Sequence, residues 1–220
     1  MKSKGVLIVS LLSLLVAVAS FSIIPFSSQI LAKWLASPPQ IDRAINILKQ
    51  RTDTGIEITK ELVNTSIDNG FVKPFEMLSE STAKRLDDDG IAIFIFNNDS
   101  LTFWSESLDI DNVPEYSDRL VKVQNVWCTS YWIAHDSIKA LTLVKVKYSY
   151  PYQNKFLENS FHSSLSFLND YEVTPDYYPG SFPVSLYSSV PVIYLTYIPK
   201  DFAKQHEDFK ALLSWIGFVC

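Results

Sequence analysis

Cysteine, glycine and clustered basic residues are what this chain has least of, and each scarcity excludes a class of protein. Only Cys128 and Cys220 occur among the 220 residues, far apart and in different settings, so no disulfide framework stabilises the fold. Cys128, between Trp127 and Thr129 in an apolar run, reads as a small core residue. Six scattered glycines leave no room for glycine-rich loops that cradle nucleotide phosphates. The GxSxG elbow, HExxH, the P-loop and CxxC are all missing, so no catalytic residue, metal or other cofactor is expected. Net charge is −5 with both signs interspersed, and no Lys/Arg cluster tracks a phosphate backbone, so nucleic acid is not an expected partner.

Charge is also missing from one long stretch. Lys2 and Lys4 precede Gly5 to Ala32, where no side chain is charged. Twenty apolar residues of helix cover about 30 Å, the hydrocarbon thickness of a bilayer. Residues 1–32 are therefore expected to be a cytoplasmic start and a transmembrane or signal-anchor helix, with the lysines on the cytoplasmic side. A cleaved signal peptide is the alternative, since Ala17-Val18-Ala19 suits a cleavage site. Against cleavage, Phe21, Ile23, Ile24, Phe26, Ile30 and Leu31 carry the apolar character well past Ala19. Both readings export the rest of the chain, placing the protein in the cell inner membrane with its domain in the periplasm, or releasing that domain.

Residues 33–210 are enough for one domain with a sizeable core. Ser37-Pro38-Pro39-Gln40 reads as a helix start, and apolar Ile41, Ile45, Leu48, Ile56, Leu62, Val63 and Ile67 come after it at mostly helical spacing, with Gly55 a possible interruption. This is a membrane-proximal amphipathic helix. A short helix is expected over 80–87, capped by Ser79. From Gly90 the period changes to that of strands. IAIFIF, the turn Asn97-Asn98-Asp99-Ser100 and LTFWS give a hairpin signal, and strands are expected at about 120–127, 131–135, 140–148, 184–187 and 190–197. Lys145 and Lys147 alternate with apolar neighbours, predicting one wet face, and Phe156 to Leu168 has roughly helical spacing. The predicted class is α+β, helices followed by an antiparallel sheet. At the far end Phe202, His206, Phe209 and Leu213 share a helical face. Residues 211–220, ALLSWIGFVC, are uncharged and too few to span, and are read as the start of a second, truncated transmembrane helix or as a helix packed on the domain.

GIAIFIFNNDSLTFWS (Gly90 to Ser105), Asn125-Val126-Trp127 and YPYQNKFLENSF (Tyr150 to Phe161) resemble the extracytoplasmic sensor region of membrane-bound bacterial two-component sensor histidine kinases. The likeness covers most of residues 41–220. It implies a PAS-like or Cache-like antiparallel sensor domain that binds a small molecule or a periplasmic component, relays a conformational change through flanking membrane helices, and works as a homodimer. The kinase part is missing, and His206-Glu207 lacks the Pro that follows in a phospho-accepting box. A stand-alone envelope binding protein, anchored or secreted, is the rival reading.

Aromatic residues are abundant in the predicted sheet and in the loops after it. Tyr150, Tyr152, Tyr177, Tyr178 and Trp132 are the candidate ligand-binding residues, since amphipathic rings suit small-molecule pockets and loops over a rigid sheet commonly carry binding groups. Rings on strands, Trp127 above all, are expected in the core. His135-Asp136 reads as a polar pair at a strand end, and His162 as a surface or interface residue of an amphipathic helix. Ile41, Ile45, Leu48 and Thr52 step by four, three and four, which fits the seam of a parallel dimer or a stripe packed on the domain's own sheet.

Overall fold

The computed structural model describes residues 2–27, 30, 38–115, 118–187, 190–198 and 202–219, without the side chains of 2–11, 38–39, 202–203, 205 and 217–219. The helices are α1 (Lys2–Ile23), α2 (Pro38–Asn69), α3 (Lys73–Met77), α4 (Glu80–Asp88) and α5 (Phe202–Val219). The strands are β1 (Ile91–Asn97), β2 (Ser100–Trp104), β3 (Arg119–Val123), β4 (Val126–His135), β5 (Ile138–Tyr148), β6 (Tyr171–Thr174), β7 (Phe182–Val184) and β8 (Ile193–Tyr197). They form two compact units, Pro38–Thr196 and a second made of Met1–Ser37 with Tyr197–Cys220.

In the larger unit the class is α+β, as expected. Five antiparallel strands lie in the order β2-β1-β5-β4-β3, and a smaller sheet has the order β6-β8-β7. Cross-strand partners such as Ile91 with Val144 and Ile93 with Thr142 show one face of the large sheet, which carries Ile91, Ile93, Ile95, Thr142 and Val144. That face receives α2. Buried positions on α2 recur at Ile41, Ala44, Leu48, Thr52, Gly55, Thr59, Leu62 and Ser66, in steps of three or four, so the helix presents one stripe to the sheet and to the turn after β5.

Gly55 does not interrupt α2. A Cβ there would stand 2.8 Å from Thr142 Cγ2 and 3.1 Å from Ile91 Cγ2, so its bare backbone is what lets the helix approach β1 and β5. The buried hydroxyls of Thr52, Thr59 and Ser66 are satisfied within the helix, each donating to the carbonyl four residues earlier at 2.8, 2.7 and 2.8 Å. Thr59 Oγ1 also lies 2.7 Å from Thr142 Oγ1. The stripe of Ile41, Leu48 and Thr52 is therefore occupied within its own domain, and a dimer seam through it is not free. The expected Ser37 cap lies outside the described residues.

The opposite face of the large sheet carries Ala92, Phe94, Val121, Val123, Val126, Cys128, Leu141 and Leu143. Over it lies the β2–β3 connection, residues 105–118, whose Leu108, Ile110 and Val113 pack onto that cluster. The wet face predicted for β5 is not there. Lys145 and Lys147 are 5% and 4% exposed, because Glu106 of the covering connection and Glu172 of β6 close over their ammonium groups at 2.7 and 2.9 Å. Trp127 is only half-buried, under the ammonium of Lys122, so it is a lesser core residue than its strand position implied.

Three other expectations are corrected. The span 156–168 is not one helix: the Asn154 carboxamide accepts the N–H groups of Phe156 and Leu157 in a tight turn, and only Ser163–Leu168 coils, as a 3₁₀ turn. The late strands are shorter than 184–187 and 190–197, and β6 was not foreseen. His162 is buried, not at the surface. By contrast α4 begins where predicted, with Ser79 Oγ accepting from the Thr82 N–H at 3.2 Å.

In the smaller unit α1 and α5 pack against each other, and Ser27 Oγ meets His206 Nε2 at 2.9 Å. Leu12, Leu14, Leu15, Val18 and Phe26 on one segment and Leu212 and Trp215 on the other stay exposed. Among the described residues no helix is long and apolar enough to cross a membrane.

Candidate binding cleft and a buried polar centre

Two hairpin turns build the rim of a cleft on the covered face of the large sheet. The β1–β2 turn consists of Asn98 and Asp99 at φ +46° and +63°, the left-handed pair that a two-residue hairpin requires and that Asn and Asp tolerate best. It holds Asp99 at the rim. The β4–β5 turn has Asp136 at φ +51°, and Lys139 comes after it on β5 opposite Phe96. His135 and Asp136 sit at this turn, exposed, as a polar pair 3.4 Å apart.

The cleft encloses about 270 Å³ between Phe96, Asp99, Ile110, Asp111, Val113, Glu115, Trp132 and Lys139. Phe96 and Trp132 form its aromatic floor, ring centroids 5.8 Å apart at 30°. Lys139 Nζ donates to Asp99 Oδ1 at 2.9 Å and to the two Glu115 oxygens at 3.1 and 3.2 Å. These bonds favour the charged amine and raise its pKa above the usual lysine range.

The covering connection has a simple electrostatic logic. Residues 105–118 contain Glu106, Asp109, Asp111, Glu115 and Asp118 and no Lys or Arg. The sheet supplies donors to match: Lys145 to Glu106, Lys139 to Glu115, the Tyr131 hydroxyl to Asp118 at 3.0 Å, and the Trp132 indole N–H to the Pro114 carbonyl at 2.9 Å. The Asp111 carboxylate has no hydrogen-bond or ion-pair partner among the described residues.

At the opposite end of β1 and β5 a buried polar centre ties α2 to the sheet. Arg51, 4% exposed, donates through Nε to the Asp89 carbonyl, through Nη2 to the carbonyls of Lys145 at 2.9 Å and Gly90 at 3.4 Å, and through Nη1 to Ser164 Oγ at 3.2 Å. One planar fork thus satisfies the α4–β1 turn, β5 and the 3₁₀ turn together. Burial lowers its pKa to about 10, which still leaves it charged. His162 packs beside it, with Nδ1 3.1 Å from Ser164 Oγ. Desolvation, then the charges of Arg51 and Lys145, push the His162 pKa down to about 4, so its imidazole is neutral near pH 7. Gly90, at φ +61°, fits between them: a Cβ would stand 2.6 Å from Arg51 Nη2 and 2.7 Å from His162 Nε2. Cys128 is fully buried, and desolvation pushes its thiol up to about 12, so it is an unreactive core residue as read from the sequence.

The structure does not bring the five candidate aromatics together. Trp132 lies in the cleft just described. Tyr150 lines a second, shallower depression with Tyr148, Lys155, Phe156, Glu158 and Ser160, its ring stacked on Tyr148 at 6.4 Å and 4°. Tyr152 is exposed on one loop and Tyr177 and Tyr178 on another, between β6 and β7, with Tyr177 resting edge-on against Tyr194. Sequence reasoning passed over Asp99, Asp111, Glu115 and Lys139. The signal that marks three of them is the single sign of charge in residues 105–118 and its continuation at the β1–β2 turn.

Among the described residues no three His, Cys, Asp or Glu side chains converge so as to hold a metal ion. No protein-family model, curated protein or solved structure matches this chain.

Proposed function

We propose that this chain is the extracytoplasmic sensor region of a membrane-bound two-component histidine kinase, with a PAS-like or Cache-like domain that binds a small ligand in the Phe96–Trp132 cleft. The observation that carries the reading is the route from that cleft to α2. Glu115 at the rim and Glu106 belong to one connection; Glu106 pairs with Lys145; and the Lys145 carbonyl accepts from Arg51 on α2. A ligand that displaces the Lys139–Glu115 contact would move the connection against the sheet, and the same β5 residue would pass the strain to α2. Such a ligand shifts the equilibrium only by its differential affinity for the two arrangements.

The order of elements supports the reading: an apolar helix, a long helix of 32 residues, an antiparallel sheet, then a second largely apolar helix. The exposed Leu12, Leu14, Leu15 and Phe21 of α1, with Leu212 and Trp215 of α5, are apolar surfaces that lipid would cover, and in this reading the domain lies in the periplasm beside the inner membrane. In this reading the chain performs no catalysis itself. A homodimer would use surfaces other than the occupied α2 stripe.

The test is topological first. A Lys155→Cys, Cys220→Ser variant in intact cells should react with a membrane-impermeant maleimide added from outside once the outer membrane is permeabilised. Protection of the introduced thiol until the inner membrane is lysed would overturn the placement. Fused ahead of the cytoplasmic half of a histidine kinase, the chain should set an autophosphorylation level that changes on Glu115→Gln. An unchanged level would remove the sensing role.

A further inference from the structure

We propose that the Phe96–Trp132 cleft recognises a small organic ammonium ion, and that the Lys139 side chain holds the same carboxylates when the ligand is absent. The proposal rests on the sensing reading and names its ligand class.

Three features of the cleft carry it. The rim already binds an ammonium: Asp99 and Glu115 stand close enough to grip one Nζ from two sides. The charge there is unbalanced, since three carboxylates, Asp99, Asp111 and Glu115, face one cation, and the Asp111 carboxylate has no partner among the described residues. The floor suits a cation too, because the faces of Phe96 and Trp132 present negative π density to a charge and apolar surface to its alkyl groups. An anion finds no comparable welcome. Among the described residues Lys139 is the one basic side chain lining the cleft, and it is already held by two carboxylates. At about 270 Å³ the space lies just under the ~300 to 1,000 Å³ of drug-sized sites, which fits a ligand of few heavy atoms.

The resident lysine makes the mechanism competitive. An incoming ammonium takes over Glu115 or Asp99, Lys139 swings to solvent, and the covering connection loses one of its ties to β5. No bond is made or broken covalently.

The experiment uses the full chain in detergent micelles, titrated with butylammonium chloride and, separately, with sodium butyrate at matched ionic strength. The readout is the Trp132 indole N–H resonance, identified by its loss in Trp132→Phe. Butylammonium should shift it saturably and butyrate should not. Lys139→Met should tighten butylammonium binding by about twofold to fivefold, the equivalent of the exposed ion pair it no longer has to break. Lys139→Arg keeps the competing charge and should bind as the unmodified chain does, while Asp99→Asn with Glu115→Gln should weaken binding. Saturation by butyrate instead would overturn the ammonium assignment and leave ligand sensing in this cleft intact. No saturable shift with either probe, in the unmodified chain and in a folded Lys139→Met variant alike, would overturn the proposal, whereas the sensing role falls separately on the autophosphorylation measurement.

Discussion

Gly90 is the residue on which the polar centre depends most directly. Its φ of +61° is a region where an L side chain costs about 1–2 kcal/mol, and the space a Cβ needs is already filled by Arg51 and His162. Gly90→Ala should lower unfolding free energy in urea by about 3 kcal/mol or more. Gly180, at φ +93° with nothing within 4 Å, isolates the backbone contribution, and Gly180→Ala should cost only about 1 kcal/mol. His162 gives a pH signature. Its folded pKa of about 4 lies below the ordinary 6.5, so the unfolded chain binds more protons between those values. This contribution to stability is full above pH 6.5 and is lost as pH falls toward 4, by up to about 3 kcal/mol. A His162→Gln variant should flatten that part of the stability curve. If its slope matched that of the unmodified chain, the titration would have to be assigned elsewhere.

Among elements, the sheet and its covering connection should separate folding from binding. Phe94 is 1% exposed in the centre of β1, and Phe94→Ala should cost about 3 to 5 kcal/mol in chemical denaturation. Trp132→Ala, on a half-exposed ring at the cleft floor, should cost far less and show itself in ligand response. How much of this could be read from the chain alone depends on the range of the interactions. The β1–β2 hairpin and the start of α4 were legible because Asn98-Asp99 and Ser79 act within a few residues. The burial of Lys145 and Lys147 was not, because alternation says which residues share a face but not that Glu106 and Glu172, distant in sequence, close over it. Gly55 misled for the same reason: as a local signal it weakens a helix, and only the approach of Thr142 explains its place. Trp132 was found as an aromatic, whereas its charged neighbours in the cleft needed three separate connections to meet.

For the molecule as a whole, the proposed membrane placement rests on the smaller unit. Its apolar side chains are exposed in a protein whose remaining surface is mixed and acidic overall. After cell lysis the chain is expected to sediment with membranes and to need detergent for release, while high salt or carbonate should not extract it. Trp215, 65% exposed on α5, should be quenched by brominated lipid tails in reconstituted vesicles, and a Trp215→Phe variant should lose that component of quenching. Quenching that is unchanged in the variant would argue that α5 stays out of the hydrocarbon.

Among the contacts of α2 with its domain, those at Arg51, Gly55 and Thr59 come one every four residues along a single ridge. At the middle of these the helix backbone rests on the side chains of Thr142 and Ile91. Sliding α2 along its axis by even one residue would drive a side chain into β5 and break the guanidinium fork. Force arriving along the helix is therefore expected to meet resistance to a piston stroke, with Gly55 as the fulcrum about which the helix tips.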